Sequence, residues 1–94
     1  MASIKNLKKD IHFLIDEVIG TCLLQQYTSG KGKNEEIEQL IFEMADFRED
    51  IIDRANNPEN KPESQSLKQY YRSLFDELLE KVNSAFDKLN GISN

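Results

Sequence analysis

The sequence has no tryptophan, one cysteine, one histidine and two prolines among its 94 residues. A single cysteine cannot form an intramolecular disulfide, and one cysteine with one histidine argues against a tetrahedral zinc site. Cys22 falls on the apolar side of a predicted helix, where we interpret it as a small buried hydrophobe and not a nucleophile. At this length we expect a single domain over residues 1–94, with one hydrophobic core.

Long apolar runs and basic clusters are also missing. The longest apolar runs have three or four residues, as at 13–15, whereas a membrane helix needs about 20 and a signal peptide about 7–15. The pI is near 4.8, and an acidic chain without a basic run is repelled by nucleic acid. We therefore expect a cytoplasmic protein that binds neither membranes nor nucleic acid.

The acidic charge is concentrated in one segment. Residues 34–56 hold eight acidic residues and two arginines, and this segment accounts for the net charge of −5. On a helical wheel of about 100° per residue, its carboxylates spread over a broad band opposite the apolar residues. Because metal ligands must converge on one point, we interpret the band as a solvated helix face and expect no metal or other cofactor.

Three segments repeat their apolar residues at spacings of three and four, which predicts three amphipathic helices. Two stretches rich in turn residues separate them, TSGKGKN at 28–34 and NNPENKPESQS at 56–66. Short connections favour antiparallel neighbours, so the sequence predicts an all-α, antiparallel three-helix bundle with up-down-up order. The three stripes comprise Ile4, Leu7, Ile11, Leu14, Val18 and Cys22, then Ile37, Leu40, Met44, Phe47 and Ile51, then Leu67, Tyr71, Leu74, Leu78, Val82, Ala85 and Leu89.

Within the stripes we predict that Met44, Phe47, Leu74 and Leu78 are core residues. The helix ends carry residues that commonly cap helices through a side-chain oxygen or a left-handed glycine. The candidate N-caps are Ser3, Asn34 and either Ser64 or Ser66, and the candidate C-terminal glycine is Gly91.

The first predicted helix has apolar residues on two sides. Phe13, Leu24 and Tyr27 lie with Gly20 on the side away from the main stripe. Three explanations stay open: a self-association surface, a break near Gly20 that turns Leu23, Leu24 and Tyr27 inward and makes a fourth helix, and chance exposure. Phe42, which lies among the carboxylates of the second helix, either extends this surface or is a lone exposed aromatic.

Arg48 falls inside the apolar stripe of the second helix. A charged side chain at such a position packs its aliphatic stem on the core and carries its guanidinium outward. We therefore predict that Arg48 either reaches solvent at a helix seam or forms an inter-helix ion pair with a neighbouring carboxylate.

Patterns typical of catalysis are sparse. GKGKN at 30–34 lacks both the preceding strand and the spacing of a phosphate-binding P-loop, and a single histidine cannot be assembled into a catalytic triad with confidence. His12 is a candidate phosphoacceptor of the histidine phosphotransfer kind, but Ile15 and Asp16 stand where that family usually has lysine and glycine. We interpret His12 as a boundary residue between Lys8 and Asp16.

Two stretches, MASIKNLKKDIHFLIDEVIG at 1–20 and SLKQYYRSLFDELLEKVN at 66–83, resemble a group of small, uncharacterised all-helical proteins of Bacteroidetes bacteria. The resemblance implies a helical bundle in a cytoplasmic setting, with no assigned activity. Together with the residues above, it predicts a non-enzymatic protein-interaction module whose partner is another protein or a second copy of the chain. The alternative is a phosphorelay-type carrier or small enzyme centred on His12.

Overall fold

The computed structural model describes residues 4–28 and 34–93. They form three helices, α1 (Ile4–Thr28), α2 (Asn34–Asn56) and α3 (Leu67–Ser93), with one turn of 3-10 helix at Pro58–Asn60 between the last two. No strand occurs among the described residues, and the predicted all-α three-helix bundle is confirmed. Ser3 and most of the GKGKN stretch lie outside the described residues, and Asn34 is the first residue of α2.

Contacts between the helices establish their directions. Glu43 of α2 pairs with Lys81 and Lys88 of α3, whereas Arg54, further along α2, pairs with Glu77, which comes earlier in α3. The amide of Gln25 donates a hydrogen bond to the carbonyl of Leu89, which joins the C-terminal halves of α1 and α3. The first and third helices are therefore parallel to each other and antiparallel to the second, in the predicted up-down-up order.

One apolar core runs along the axis of the bundle, and all three helices contribute to it. Met44, Leu74 and Leu78 are buried, as predicted. The buried set comprises Leu7, Ile11, Ile15, Val18, Cys22, Ile37, Leu40, Met44, Ile51, Ala55, Tyr70, Leu74, Leu78, Val82, Ala85 and Leu89.

The prediction that Phe47 is a core residue is wrong in degree, since its side chain is only half-buried. On the wheel of α2 it lies about 80° from Ile37, at the edge of the apolar stripe. The ammonium of Lys81 lies 5.8 Å from the centroid of its ring. Phe47 therefore fills the seam between α2 and α3, and a charged side chain from α3 covers it.

The start of α3 confirms one further prediction and corrects another. Of the two candidate caps, Ser66 is the N-cap: its hydroxyl accepts from the backbone N–H of Gln69, whose side chain accepts from the N–H of Ser66. Tyr70 is buried, whereas the predicted stripe residues Tyr71 and Leu67 are half-buried and exposed.

The buried position of Tyr70 has a polar cause. Its hydroxyl donates a hydrogen bond of 2.7 Å to the carbonyl of Arg54, in the last turn of α2. The last carbonyls of a helix lack partners within the helix, so a phenol from α3 supplies one. Apolar spacing alone cannot distinguish Tyr70 from Tyr71. The hydroxyl of Tyr71 also reaches a carbonyl of this turn, that of Ala55 at 3.5 Å, but the shorter hydrogen bond belongs to Tyr70.

The two glycines in helices decide one open alternative and correct one prediction. α1 continues without a break through Gly20, so the four-helix alternative is wrong. A single glycine costs a helix about 1 kcal/mol, and the buried stripe on the inner face offsets that cost. Gly91 lies inside α3 and no described glycine has a positive φ, so its predicted role as a left-handed cap is also wrong. The extra turn allows Ile92 to pack against the core.

Candidate protein interface

Most of the large apolar side chains exposed in the described part lie on the outer sides of α1 and α2, away from the core. We call this set of residues the outer strip. Its residues are Phe13 (56% exposed), Leu23 (55%), Leu24 (64%) and Tyr27 (90%) on α1, and Phe42 (61%) on α2. On a wheel of about 100° per residue, the members on α1 lie on the side opposite the buried stripe. Because α1 is unbroken, the inner stripe and the outer strip are two faces of one helix.

A shallow groove crosses the outer strip at Gly20. A Cβ atom built at Gly20 would meet nothing within 4 Å, so the packing of this chain does not require a glycine there. The groove is therefore open surface that the fold leaves unused. It is lined by Phe13, Asp16, Glu17, Gly20, Thr21 and Leu24.

Arg48 fixes how α1 and α2 are aligned. Its Nη1 lies 2.8 Å from Oδ1 of Asp16, in an ion pair at the edge of the α1–α2 seam. In antiparallel helices, residues the same number of steps before and after such a pair lie at the same height. Phe42 therefore lies at about the height of Leu23 on the neighbouring helix.

Leu23 is the strip residue missing from the sequence-based surface. Sequence reasoning considered it only as a residue turned inward by a break at Gly20. The signal was its position seven residues after Asp16, two full turns along the same face. Once Asp16 is placed at the outer edge by Arg48, Leu23 must lie there too.

Carboxylates surround Phe42 on α2. Glu38 and Asp46 stand one turn before and after it, and Glu49 stands two turns after it. All three are exposed, and none forms an ion pair with another described residue. The outer strip therefore carries uncompensated negative charge along its α2 side.

The opposite side of α2 is compensated by α3. The carboxylate of Glu43 lies 3.3 Å from the ammonium of Lys81 and 3.4 Å from that of Lys88. Partial burial acts to raise the pKa of Glu43, but the hydrogen bonds and charges of the two lysines outweigh it and leave the pKa lowered. Glu43 thus stays ionised, held between two bases of a neighbouring helix.

Arg54 binds two carboxylates near the C-terminal end of α2. Its two terminal nitrogens reach both oxygens of Glu77, at 2.8 and 2.9 Å, and Nη2 also reaches Asp50 at 2.9 Å. The hydrogen bond from Arg54 lowers the pKa of Glu77, and the hydrogen bond to Glu77 raises the pKa of Arg54. This forked pair joins α2 to α3 with fixed geometry.

The reactive side chains do not assemble into a site. Cys22 is fully buried, and its burial raises the pKa of the thiol, which makes it a poor nucleophile. His12 is exposed on α1. Among residues 4–28 and 34–93, no three His, Cys, Asp or Glu side chains come together as a metal ion would require.

No helix in the described part of the chain combines the length and apolar character that spanning a membrane would take. Searches against protein-family models, curated proteins and solved structures found no match to this chain.

Proposed function

We propose that this protein is a non-enzymatic, cytoplasmic interaction module that binds another protein through the outer strip. The observation that carries the proposal is α1 itself, a continuous helix with a buried apolar face and a second apolar face left exposed. A helix with apolar residues on both sides usually packs on both sides. The cytoplasmic setting is proposed from the resemblance to helical proteins of Bacteroidetes bacteria.

The size of the exposed surface supports the same function. Phe13, Tyr27 and Phe42 each expose more than half of their surface, and together they contribute on the order of 400 Å². Leu23 and Leu24 add to this area. The largest apolar patch on a typical monomer is about 300–600 Å² and is often functional.

The open groove at Gly20 adds a feature of shape. A partner side chain entering the groove would lie between Phe13 and Leu24, close to the backbone of α1. Interfaces concentrate their binding energy where a side chain fills such a recess. The strip thus offers a partner both exposed apolar area and a recess that a side chain can fill.

Affinity capture tests the proposal. We expect immobilised protein to retain specific partners from the source cell, and a Leu24→Ser, Tyr27→Ser variant to lose them. The matched control is Leu67→Ser, which alters an exposed leucine on α3, outside the strip. Partners that bind the strip variant and the protein equally, or the absence of any specific partner, would overturn the proposal.

Self-association is measured separately by sedimentation equilibrium. A dimer that disappears in a Phe13→Ser, Leu24→Ser variant would make a second copy the partner. A dimer that persists in that variant would place the contact elsewhere.

Exposure of His12 keeps one alternative function open to test, since a phosphoacceptor must be reachable. Incubation with acetyl phosphate followed by intact-mass measurement distinguishes the two functions. An interaction module gives no stoichiometric adduct. A phosphate adduct that His12→Ala abolishes would establish a phosphorelay carrier instead.

A further inference from the structure

We propose that the outer strip binds an amphipathic helix of a partner protein that carries lysines or arginines beside its apolar face. This inference rests on the proposed interaction function and names the chemistry of the partner. Four features of the chain support it: the distribution of charge, a repeated arrangement on α2, the length of the strip and the charge of a second copy.

The first feature is the net charge of the part of the chain that forms the strip. Residues 13–49 contain eight acidic and three basic residues. Lys81 and Lys88 of α3 compensate one of the acidic residues, Glu43, so seven acidic residues remain. One of the three bases, Arg48, is already paired with Asp16. A partner helix with basic residues would therefore meet a surface of opposite sign, which favours association and orients it.

The repeated arrangement is a glutamate followed four residues later by a phenylalanine. It occurs twice in succession on α2, at Glu43–Phe47 and at Glu38–Phe42. At the first pair, Lys81 of α3 reaches both members, with its ammonium 3.3 Å from Glu43 and 5.8 Å from the ring of Phe47. At the second pair the described residues provide no such base, and Phe42 is 61% exposed.

α3 thus demonstrates, within the same molecule, the kind of element that covers such a pair. Lys81 and Lys88 are seven residues apart on one face of a helix, and both reach Glu43. A partner helix with a lysine beside its apolar stripe would complete the pair at Glu38 and Phe42 in the same way.

The length of the strip suits a helix. Phe13 and Tyr27 are 14 residues apart in α1, which is about 21 Å along the axis. An antiparallel or parallel helix of about four turns would span that length, with one apolar side chain at the groove of Gly20. The partner helix would then be the fourth helix of a four-helix arrangement.

A second copy of the chain fits the charge less well. A symmetric pairing through the strip would bring two surfaces of the same sign together. Like charges at close range oppose association. A basic helix removes that repulsion and converts the same carboxylates into attractive contacts.

A defined pair of peptides tests the inference. The probe is a fluorescent peptide of about 18 residues, made of leucine and lysine with leucines at helical spacing, and its match has glutamate in place of lysine. We expect the lysine peptide to bind at least about tenfold more tightly than the glutamate peptide. We expect a Leu24→Ser, Phe42→Ser variant to weaken it by about tenfold or more, and Leu79→Ser on α3 to leave it unchanged.

A separate variant tests how much the carboxylates beside Phe42 contribute to binding. Glu38→Gln with Asp46→Asn should weaken the lysine peptide a few-fold and reduce the dependence of its affinity on salt. All of these substitutions change exposed side chains, and unchanged circular dichroism unfolding midpoints verify that the variants fold.

Three results would overturn the inference. Equal binding of both peptides would show that the partner need not be basic. The proposed function would stand, since affinity capture measures it independently. Equal binding to the protein and to the Leu24→Ser, Phe42→Ser variant would move the site off the strip. A strip-dependent dimer that the lysine peptide cannot dissociate would make a second copy the occupant.

Discussion

The two sides of α2 contain similar residues and have different surroundings. Each side presents a phenylalanine with a glutamate one turn before it, but Phe47 is covered by Lys81 whereas Phe42 is 61% exposed. Their arginines differ in the same way: Arg54 holds Glu77 through two nitrogens, while Arg48 makes one contact to Asp16. Whether an aromatic residue is covered in this bundle therefore depends on a basic side chain from a neighbouring helix as well as on apolarity.

Replacing a fully buried residue of α2 should have the largest effect. Met44 is 0% exposed, so Met44→Ala should lower the free energy of unfolding by about 2–5 kcal/mol through lost burial and a residual cavity. The control Phe42→Ala should change it by no more than about 0.5 kcal/mol, since the site is exposed. Urea unfolding measures both, and similar losses would remove the distinction between the inner and outer sides.

Phe47→Ala should rank next. A fully buried phenylalanine costs about 3–5 kcal/mol when truncated, but Phe47 is half-buried and covered by a flexible lysine. We expect a loss of about 2 kcal/mol by urea unfolding, clearly larger than that of Phe42→Ala. A loss below about 1 kcal/mol would mean that coverage by Lys81 adds little to stability.

Gly20→Ala should stabilise the protein by about 0.5–1 kcal/mol, because alanine reduces the entropy of the unfolded chain and nothing near Gly20 obstructs a Cβ. The matched change Gly91→Ala, also open but close to the end of α3, should yield less. Thermal unfolding gives both values. A loss of stability at Gly20 would contradict a straight, unobstructed α1.

The smallest effect concerns pH. Arg54 lowers the pKa of Glu77 in the folded protein, so the pair contributes its stability above the ordinary glutamate pKa of about 4.3 and loses it as pH falls through the folded value. Because both side chains are partly exposed, Glu77→Gln should cost no more than about 1 kcal/mol at neutral pH. That cost should vanish at acid pH. In an Arg54→Gln background the acid-dependent part should already be absent.

Sequence spacing was sufficient for the helices and much of the core, because the identity of the buried face is a property of one helix. Met44, Leu74 and Leu78 follow directly from that periodicity. It was insufficient for Phe47 and Tyr70, whose burial depends on what the neighbouring helix places beside them. Lys81 and the carbonyl of Arg54 are contacts between helices, and periodicity within one segment carries no information about them.

The outer strip shows the same difference between what one helix determines and what two neighbouring helices determine together. That Phe13, Leu24 and Tyr27 lie opposite the main stripe was readable from the wheel, since it depends on α1 alone. Whether Gly20 broke the helix was not, because that depends on how the other two helices pack against both halves of α1 and not on the glycine alone. The proximity in height of Leu23 and Phe42 required the Arg48–Asp16 contact, which sets the alignment of two helices.

The hydrogen bond from Tyr70 to the carbonyl of Arg54 also bears on how fast the chain folds. It closes a loop between positions 16 residues apart, and short loops lose little entropy on closure and form early. We therefore expect this contact between α2 and α3 to be formed in the folding transition state. Tyr70→Phe should then slow refolding more than it accelerates unfolding, as stopped-flow kinetics would reveal.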